Sequence, residues 1–346
     1  MKAAIYDPYL DTLGGGEKYS ASVAKLLEDL GYEVDFWWPQ DMTKKLFNRF
    51  AVHLAKPRFL DFSPIKTSLI DRLFTSAQYD LVFWVSDGSI PVSLAKKTII
   101  HMQIPAHWQG CGTLANRIKI RFYTVVCNSL FTKAVVDRVY GVNSRVIYPP
   151  VTVELFSPLL KQNLIVGIGR LAHGLHSKRQ DILIKAFSRL SPLLPGWRLV
   201  LAGGSQDLQL LRHYQDITRK LPIEIIANPS LEKIRQLLGT AKIFWSATGF
   251  GVSPATHPEK MEHFGITTVE AMAAGTVPVV TNSGGHLETV ILGQSGYLWD
   301  SIDQLVKQTV ALAKDEPLLH KIARQAQSRS KLFSVNIFNS AFSKLI

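Results

Sequence analysis

Two glutamates separated by seven residues form the pattern in this sequence that points most directly to chemistry. Glu262 and Glu270 enclose the run His-Phe-Gly-Ile-Thr-Thr-Val, and the small residues that follow favour a helix. Thr267 is the expected N-cap of that helix, which would place Glu270 in its first turn and leave the amides of 265–268 for an anion. A carboxylate accepts two hydroxyl hydrogen bonds, so Glu270 suits a ribose diol and Glu262 suits the hydroxyls of a sugar.

Half of this pattern also has a purely structural interpretation. Thr267 and Glu270 have the spacing of a capping box, in which the Glu270 carboxylate would bond only the backbone amide of the cap. That interpretation leaves Glu262, Phe264 and Gly265 without an explanation, so a ligand-binding role is favoured for the pair. The predicted binding segment comprises Glu262, Phe264, Gly265, Ile266, Thr267 and Glu270.

Two glycine-rich turns, each after a predicted strand, suit phosphate groups. The first contains Gly15 and Gly16, where the missing Cβ atoms let a ligand approach the first amides of a helix. The second ends in Arg170 and is soon followed by Lys178 and Arg179. Cations at the mouth of a parallel sheet can neutralise a pyrophosphate leaving group. A glycine turn or a loop cation is often structural when it stands alone, and their combination is what favours an anion site.

His101 lies near the end of another predicted strand, in the run Ile-Ile-His-Met-Gln-Ile-Pro. An imidazole there could contact a reacting sugar or orient a hydroxyl, although a lone histidine at a strand end is more often a structural residue. The sequence contains no Asp-x-Asp, P-loop, Gly-x-Ser-x-Gly or His-Glu-x-x-His motif. We therefore expect neither a metal ion nor another cofactor.

Alternating apolar runs and amphipathic stretches must position these residues. Strands are predicted near 2–6, 33–37, 81–85, 98–102, 124–127 and 144–147, and again near 164–168, 198–202, 223–226, 242–245, 277–281 and 296–298. Such alternation predicts an α/β fold with parallel sheets, whose ligands bind beyond the carboxyl ends of the strands.

A proline pair at 149–150 separates the two series of strands. We expect two Rossmann-like domains that face each other across a cleft, one formed by 1–152 with about 332–346 and the other by 153–331. The final segment has apolar residues at helical spacing, and its helix is expected to cross back onto the first domain.

Hydrophobicity, the N-terminal residues and the cysteines together indicate the cellular compartment. The 346 residues are 47% hydrophobic, enough for two cores, and no apolar run approaches the roughly 18 residues that would span a bilayer. The N-terminus is predicted to be a strand rather than a signal peptide. Cys111 and Cys127 have the spacing of neither a zinc site nor a disulfide framework, which favours a reducing, cytoplasmic compartment.

The formal net charge of +12 calls for an anionic partner. The excess is spread along the chain without the basic, aromatic stripe of a nucleic-acid module, so no nucleic acid is expected. The densest basic stretch is 44–66, which also contains four phenylalanines. It has two interpretations of equal weight, docking on anionic lipid at the cytoplasmic membrane face and a solvated helix face with phenylalanines in the core.

The ordered combination of these segments resembles the retaining glycosyltransferases of family 4, which have the GT-B fold. The resemblance rests on Gly-Gly-x-Glu at 14–17, Gly-x-Gly-Arg at 167–170, Lys178, and the two glutamates with the following Ala-Met-Ala-Ala-Gly-Thr-Val-Pro-Val-Val. Ile-Tyr-Pro-Pro at 147–150 and Asn-Ser-Gly-Gly at 282–285 also match, so it covers almost the whole chain.

The resemblance implies a role for each matching residue. Arg170 and Lys178 would bind the diphosphate of a nucleotide sugar, Glu270 the ribose and Glu262 the donor sugar. The turn at Gly15 and Gly16 would contact the β-phosphate, and His101 would stand near the reacting centre. The loop between Arg170 and Lys178 is longer here than is usual in the family, which leaves Arg179 as an alternative to Lys178.

Within the family, Glu-His-Phe-Gly-Ile and Tyr-Pro-Pro are similar to mannosyltransferases that extend lipid-linked oligosaccharides on the cytosolic membrane face. The resemblance therefore implies GDP-mannose as the leading donor, ahead of a UDP-hexose or another GDP-sugar, and a glycan or lipid-linked acceptor. Three alternatives remain: a nucleotide-sugar epimerase of the same fold, a catalytically silent scaffold, and an RNA-binding protein suggested only by the charge.

Overall fold

The computed structural model describes residues 1–64, 66–174 and 177–346. Their contacts divide the chain into two compact units. The first unit comprises Met1–Pro150 and Asn336–Ile346, and the second comprises Val151–Val335. The chain leaves the first unit at the second proline of the pair and returns to it for its last eleven residues.

The first unit is built on a parallel sheet of seven strands in the order β3-β2-β1-β4-β5-β6-β7. Its strands are β1 (Lys2–Tyr6), β2 (Glu33–Trp37), β3 (Arg58–Leu60), β4 (Leu81–Val85), β5 (Lys97–Met102), β6 (Thr124–Cys127) and β7 (Arg145–Val146). Its helices are α1 (Gly15–Asp29), α2 (Thr43–Phe50), α3 (Leu69–Ser76), α4 (Leu114–Lys119) and α5 (Leu130–Tyr140), and the chain-terminal helix α13 (Val335–Ser343) adds to them.

The second unit repeats this design with a six-stranded parallel sheet in the order β10-β9-β8-β11-β12-β13. Its strands are β8 (Gln162–Ile168), β9 (Arg198–Gly203), β10 (Ile223–Ala227), β11 (Ala241–Ser246), β12 (Val277–Thr281) and β13 (Tyr297–Trp299). Its helices are α6 (Gln180–Leu190), α7 (Leu208–Thr218), α8 (Leu231–Thr240), α9 (Ile266–Ala273), α10 (His286–Thr289), α11 (Ile302–Lys314) and α12 (Glu316–Ser330).

The α/β class with two parallel, Rossmann-like sheets is confirmed, because every strand pair in both sheets runs parallel. Strand β3 was not predicted. It has only three residues and lies at the sheet edge, where the Arg58 guanidinium binds the buried Asp35 carboxylate of β2 at 2.7 Å. So short a run carries no hydrophobic periodicity. None of the helices in the described residues is long and apolar enough to cross a membrane.

The last helix completes the core of the first unit. Phe338 and Phe342 of α13 are buried against Tyr19 of α1, with ring centroids 5.0 Å and 6.4 Å away, and Phe342 also meets Phe83 of β4 at 5.9 Å. These aromatic side chains bury large apolar areas and pack edge to face. The sheet of the first unit therefore depends on residues from the far end of the chain.

Replacing Phe342 with alanine is expected to lower the free energy of unfolding by about 3–5 kcal/mol, because the ring is fully buried and its loss leaves a cavity. Ile337→Ala in the same helix is the matched control: the side chain is 53% exposed, and the expected change is within about 0.5 kcal/mol. Urea unfolding followed by circular dichroism measures both. Equal losses from the two variants would contradict this account of α13.

Candidate functional site

A small pocket opens at the carboxyl ends of the strands in the second unit. The strand order reverses between β8 and β11, and crevices at such switch points are the usual ligand sites of open parallel sheets. Its lining includes two glycines and five polar or charged side chains: Gly167, Gly169, Lys178, Gln180, Ser246, Thr248 and Glu262. Two residues singled out from the sequence, Lys178 and Glu262, thus meet here although 84 positions separate them.

Lys178 and Glu262 form an ion pair in this pocket. The Lys178 ammonium lies 2.8 Å from a Glu262 carboxylate oxygen, and the side chains are 32% and 15% exposed. The lysine stem reaches the carboxylate by crossing Gly169, where a Cβ would lie 2.8 Å from Lys178 Cγ. Glycine at 169 therefore leaves the space that the lysine stem occupies.

The carboxyl group of Glu262 is ionised over the whole physiological range. Burial alone would raise its pKa, but the Lys178 ammonium and its hydrogen bond, together with His286 and His263, more than offset burial and lower the pKa to about 2. An ionised carboxylate accepts hydrogen bonds and donates none. Glu262 can therefore receive the hydroxyls of a ligand but does not supply a proton at neutral pH.

The helix after Glu262 begins earlier than predicted. Gly265, with φ of 98°, is the N-cap, so α9 starts at Ile266 and Thr267 is its second residue. The expected N-cap at Thr267 is wrong, and so is the placement of Glu270 in the first turn, because Glu270 is the fifth residue of α9. With the cap at a glycine, the capping-box interpretation of Thr267 and Glu270 no longer applies. The amides that begin α9 follow the Gly265 turn and lack acceptors within the helix.

The predicted binding segment divides into ligand-accessible and core positions. Ile266, Thr267 and Glu270 are partly exposed on α9. Phe264 is 2% exposed and packs edge to face on Phe333 with centroids 5.3 Å apart. It anchors the loop to the core, a role that differs from the direct ligand contact predicted for it.

The glycine pair of the Asn-Ser-Gly-Gly run holds the Glu262 loop in place. The Gly285 amide donates to the Glu262 carbonyl at 2.6 Å. A Cβ at Gly284, where φ is 59°, would lie 2.3 Å from that carbonyl oxygen, and one at Gly285 would lie 2.4 Å from Phe264 Cα. Because these contacts are with backbone, neither position has room for a side chain.

His286 is a site residue that the sequence reasoning did not identify. It is fully buried, and Nδ1 lies 3.0 Å from the Thr281 hydroxyl, which donates its own proton to the Thr248 carbonyl at 2.7 Å. Nδ1 must therefore carry the proton that it gives to Thr281. Burial lowers the pKa of His286 to about 4, so Nε2 is an unprotonated acceptor at neutral pH. Within the described part of the chain it has no hydrogen-bond partner.

His286 also lies close to the proposed ligand groups. A Cβ built at Gly265 would be 3.4 Å from His286 Cδ2 and 3.5 Å from Glu262 Cγ. The signal that could have identified it is a polar residue placed directly after the Gly-Gly turn, at the start of a helix.

Of the two adjacent cations, Lys178 is the one that lines the pocket. Arg179 has a left-handed backbone, with φ of 54°, and its guanidinium binds the Asp181 carboxylate and the Phe250 carbonyl, the latter at 2.6 Å. Arg170 is partly exposed after the glycine turn, and its carbonyl accepts from Gln180 Nε2 at 2.8 Å. Leu175 and His176, in the lengthened loop between these cations, lie outside the described residues.

The glycine turn of the first unit lies after β1, again where the strand order reverses. Gly14 is the N-cap of α1 and its amide donates to the Glu17 carboxylate, while Gly15 and Gly16 are the first two helical residues. A Cβ at Gly16 would lie 1.5 Å from Gln103 Oε1, so the Gln103 side chain lies directly against this turn. Gln103 is the first residue after β5.

His101 lies near the end of β5, as predicted, and its side chain belongs to the core. Its ring is fully buried and stacks on Tyr19 at 3.9 Å and on Phe83 at 5.6 Å. Burial lowers the pKa of His101 to about 3, so the ring is neutral; a backbone group of Val126 is near it, but neither ring nitrogen has a partner with hydrogen-bond geometry in the described residues. The polar side chain at the turn is Gln103, which a search for residues just past a strand end would have found.

Residues 1–64, 66–174 and 177–346 contain no group of three or more His, Cys, Asp or Glu side chains arranged to hold a metal ion.

A double-mutant cycle on the ion pair tests its geometry without reference to a ligand. Lys178→Met leaves the Glu262 carboxylate partly buried and unpaired, and is expected to lower the free energy of unfolding by about 1–3 kcal/mol. Adding Glu262→Gln should recover most of that loss, because the uncompensated charge is removed. Urea unfolding at pH 7 measures Lys178→Met, Glu262→Gln and the double variant. Additive losses in the double variant would show that the two side chains are not coupled.

The same pair predicts a pH dependence. A carboxyl group whose pKa is depressed to about 2 stabilises the folded state above its ordinary pKa of 4.5, and this stabilisation is lost as the pH falls through about 2. The difference in stability between wild type and Glu262→Gln should therefore be constant above pH 5 and shrink below pH 4.5. A difference that does not change between pH 6 and pH 3 would contradict the assignment.

Comparison with known proteins places this site within a family. Residues 156–329 match the family described as Glycosyl transferases group 1. The GDP-Man:Man(3)GlcNAc(2)-PP-Dol alpha-1,2-mannosyltransferase of Dictyostelium discoideum is 24% identical over 60% of this chain and 43% of its own length. The human protein of the same name is 28% identical over 54% and 40%. The chain thus spans less than half the length of these relatives.

Two further similarities extend over nearly the whole chain. An uncharacterized glycosyltransferase of Methanocaldococcus jannaschii is 22% identical over 96% of this chain and 93% of its own. The structure of Anabaena HepE in complex with UDP and glucose is 19% identical, with a TM-score of 0.76 and coverage of 99% and 98%. Because the family match covers half of the chain and includes the pocket of the second unit, the chain belongs to the group 1 glycosyltransferases and has their two-domain GT-B fold.

Proposed function

We propose that this glycosyltransferase moves a hexose from a nucleoside diphosphate sugar to a glycan or lipid-linked acceptor, with retention of anomeric configuration and without a metal ion. The observation that carries the proposal is the ion pair between Lys178 and Glu262 in the pocket at the switch point of the second sheet. A cation and a carboxylate in one pocket suit the diphosphate and the sugar hydroxyls of such a donor.

Each of these groups has a ligand partner. Lys178 and Arg170 neutralise the diphosphate, and the Glu270 carboxylate accepts the ribose hydroxyls. Donor binding draws the Lys178 ammonium onto phosphate oxygens, which releases the Glu262 carboxylate to accept hydroxyls of the sugar. A β-phosphate contact at Gly15 and Gly16 stays a prediction that rests on the family resemblance.

The proposed reaction needs no protein nucleophile. The bond between the sugar anomeric carbon and the β-phosphate oxygen breaks as the acceptor oxygen bonds to the same face of the sugar. The acceptor proton passes to an oxygen of the departing phosphate. Lys178 and Arg170 stabilise the negative charge that develops on the leaving group, which is the usual way in which fixed cations lower such a barrier.

GDP-mannose is the proposed donor, because the curated relatives in this family include mannosyltransferases whose names specify GDP-Man. A UDP-hexose is the second choice, since HepE, which shares the fold, was solved with UDP and glucose. A thermal-shift panel of GDP-mannose, UDP-glucose, ADP-glucose and the free diphosphates distinguishes them, because a ligand that binds only the folded state stabilises it.

Transfer itself is tested with the donor that the panel selects. Proton NMR of the product formed from that donor and a mannose-terminated glycolipid should show the donor's anomeric configuration, and activity should survive EDTA. Inversion would disprove the mechanism, and strict dependence on an added divalent metal would disprove the proposed role of the cations. Epimerised donor without any transfer would identify an epimerase instead.

Lys178→Ala and Glu270→Ala are each expected to lower kcat/KM by about tenfold or more, the equivalent of one lost charge-assisted hydrogen bond of about 1.5–3 kcal/mol. Lys185→Ala is the matched control, since this lysine lies on α6 and is exposed. Steady-state kinetics with the selected donor measure all three. Unchanged turnover in both site variants would remove the basis of the site assignment.

A second pair of variants distinguishes the functional roles of His101 and Gln103. Because the imidazole is neutral, enclosed by aromatic rings and without a hydrogen-bond partner in the described residues, His101→Phe should preserve kcat/KM within a few-fold. Gln103→Ala removes the amide that lies against Gly16 and should lower kcat/KM by about tenfold, the effect of one lost hydrogen bond of about 1.4 kcal/mol. If instead His101→Phe folds but loses activity while Gln103→Ala keeps it, the role near the reacting centre predicted for His101 would be supported.

A further inference from the structure

We propose that the first unit docks on an anionic lipid bilayer through an apolar face formed by α3, Leu94 and the stretch from α4 to Phe122. This goes beyond the proposed reaction, because the face contains none of the residues assigned to it. We call it the apolar face. Its large side chains are Ile70 (64% exposed), Phe74 (71%), Leu94 (59%), Ile118 (50%) and Phe122 (80%).

Hydrogen bonds tie the three segments of the apolar face side by side. The Leu94 amide donates to Ser76 Oγ, at the end of α3, at 3.0 Å. The neighbouring Ser93 amide donates to the hydroxyl of Tyr123, the residue after Phe122, at 3.0 Å. The exposed apolar side chains therefore belong to one region of the unit rather than to scattered surface positions. Exposed apolar side chains grouped in one region of a surface are typical of interaction sites.

Within each helix, the spacing places the exposed apolar side chains on one face. Ile70 and Phe74 are four residues apart on α3, and Leu114, Ile118 and Phe122 repeat at the same interval through α4 and the turn after it. Residues four apart share a face of a helix. Leu114 is itself 75% exposed and extends the apolar face at its start.

Charge identifies the partner as anionic lipid. Arg117 and Arg121 are exposed between the apolar positions of the α4 stretch. Asp71, the acid within α3, is held at the start of that helix by the Ser68 hydroxyl at 2.7 Å. Exposed apolar side chains interleaved with arginine are what a helix presents to the headgroup region of a bilayer, where the rings enter the acyl boundary and the cations meet phosphate.

The structure does not favour the stretch 44–66 for the same role. Phe50 is buried, and Phe59 and Phe62 are partly buried and pack on core aromatic rings, with centroids at 5.0 and 4.9 Å. Phe47 is the exposed one of the four phenylalanines. Ile65, in the same stretch, lies outside the described residues. Three of the four phenylalanines in 44–66 thus pack in the core, which favours the solvated-helix interpretation of this stretch over lipid docking.

Co-sedimentation with vesicles tests the proposal on the whole chain. Wild type should bind phosphatidylcholine vesicles that contain phosphatidylserine at least tenfold more tightly than pure phosphatidylcholine vesicles. The double variant Phe74→Ser, Phe122→Ser should reduce that binding at least tenfold. Arg121→Gln should weaken binding to the vesicles that contain phosphatidylserine and leave binding to pure phosphatidylcholine vesicles unchanged. Phe47→Ser is the matched control from the stretch 44–66 and should bind like wild type.

Two results would overturn the proposal. One is equal binding of wild type and the Phe74→Ser, Phe122→Ser variant, and the other is a dimer on size exclusion that this variant abolishes while vesicle binding is absent. The second would assign the apolar face to another copy of the chain. Donor-induced thermal shifts, measured in parallel, should be the same in all variants, so failure of lipid docking and failure of the proposed function are distinguished.

Discussion

The ion pair between Lys178 and Glu262 is the contact around which the second unit is arranged. It requires a glycine at 169 for the lysine stem to pass, and it requires Gly203 as well, since a Cβ there would lie 1.8 Å from the Gly169 carbonyl oxygen. On the other side, Gly284 and Gly285 let a turn approach the backbone of the Glu262 loop. Close packing at Gly169, at Gly203 and at the Gly284–Gly285 pair thus lets Lys178 and Glu262 meet although they are distant in sequence.

In the proposed function this pair serves ligand exchange more than stability. Two partly buried charges gain little net stability from each other, because the loss of hydration offsets much of their attraction. Each charge has an alternative partner in a nucleotide sugar, the ammonium in phosphate and the carboxylate in hydroxyls. While the pocket lacks a donor, the pair keeps both charges compensated, and exchange of partners on binding avoids leaving either one uncompensated.

The sequence was most informative where periodicity or chemistry alone decides the outcome. Strand periodicity predicted both sheets, charge after a glycine turn identified Lys178, and the two glutamates separated by seven residues identified Glu262. Backbone geometry decided the rest: a left-handed Gly265 moved the start of α9 away from Thr267. Ring stacking placed His101 in the core, while Gln103, two residues later, reached the turn. Such outcomes depend on contacts between distant segments, which one sequence does not display.

The two glycine turns have the same architecture but place chemically different side chains over the glycine. In each unit a glycine after the first strand at the switch point leaves space for a side chain from elsewhere in that unit. Over Gly169 that side chain carries a cation, and over Gly16 it is the uncharged amide of Gln103. A cation stabilises the charge on a departing diphosphate, whereas an amide orients neutral hydroxyls without attracting the anion. The difference favours the second unit as the diphosphate site and Gln103 as a contact for an uncharged sugar.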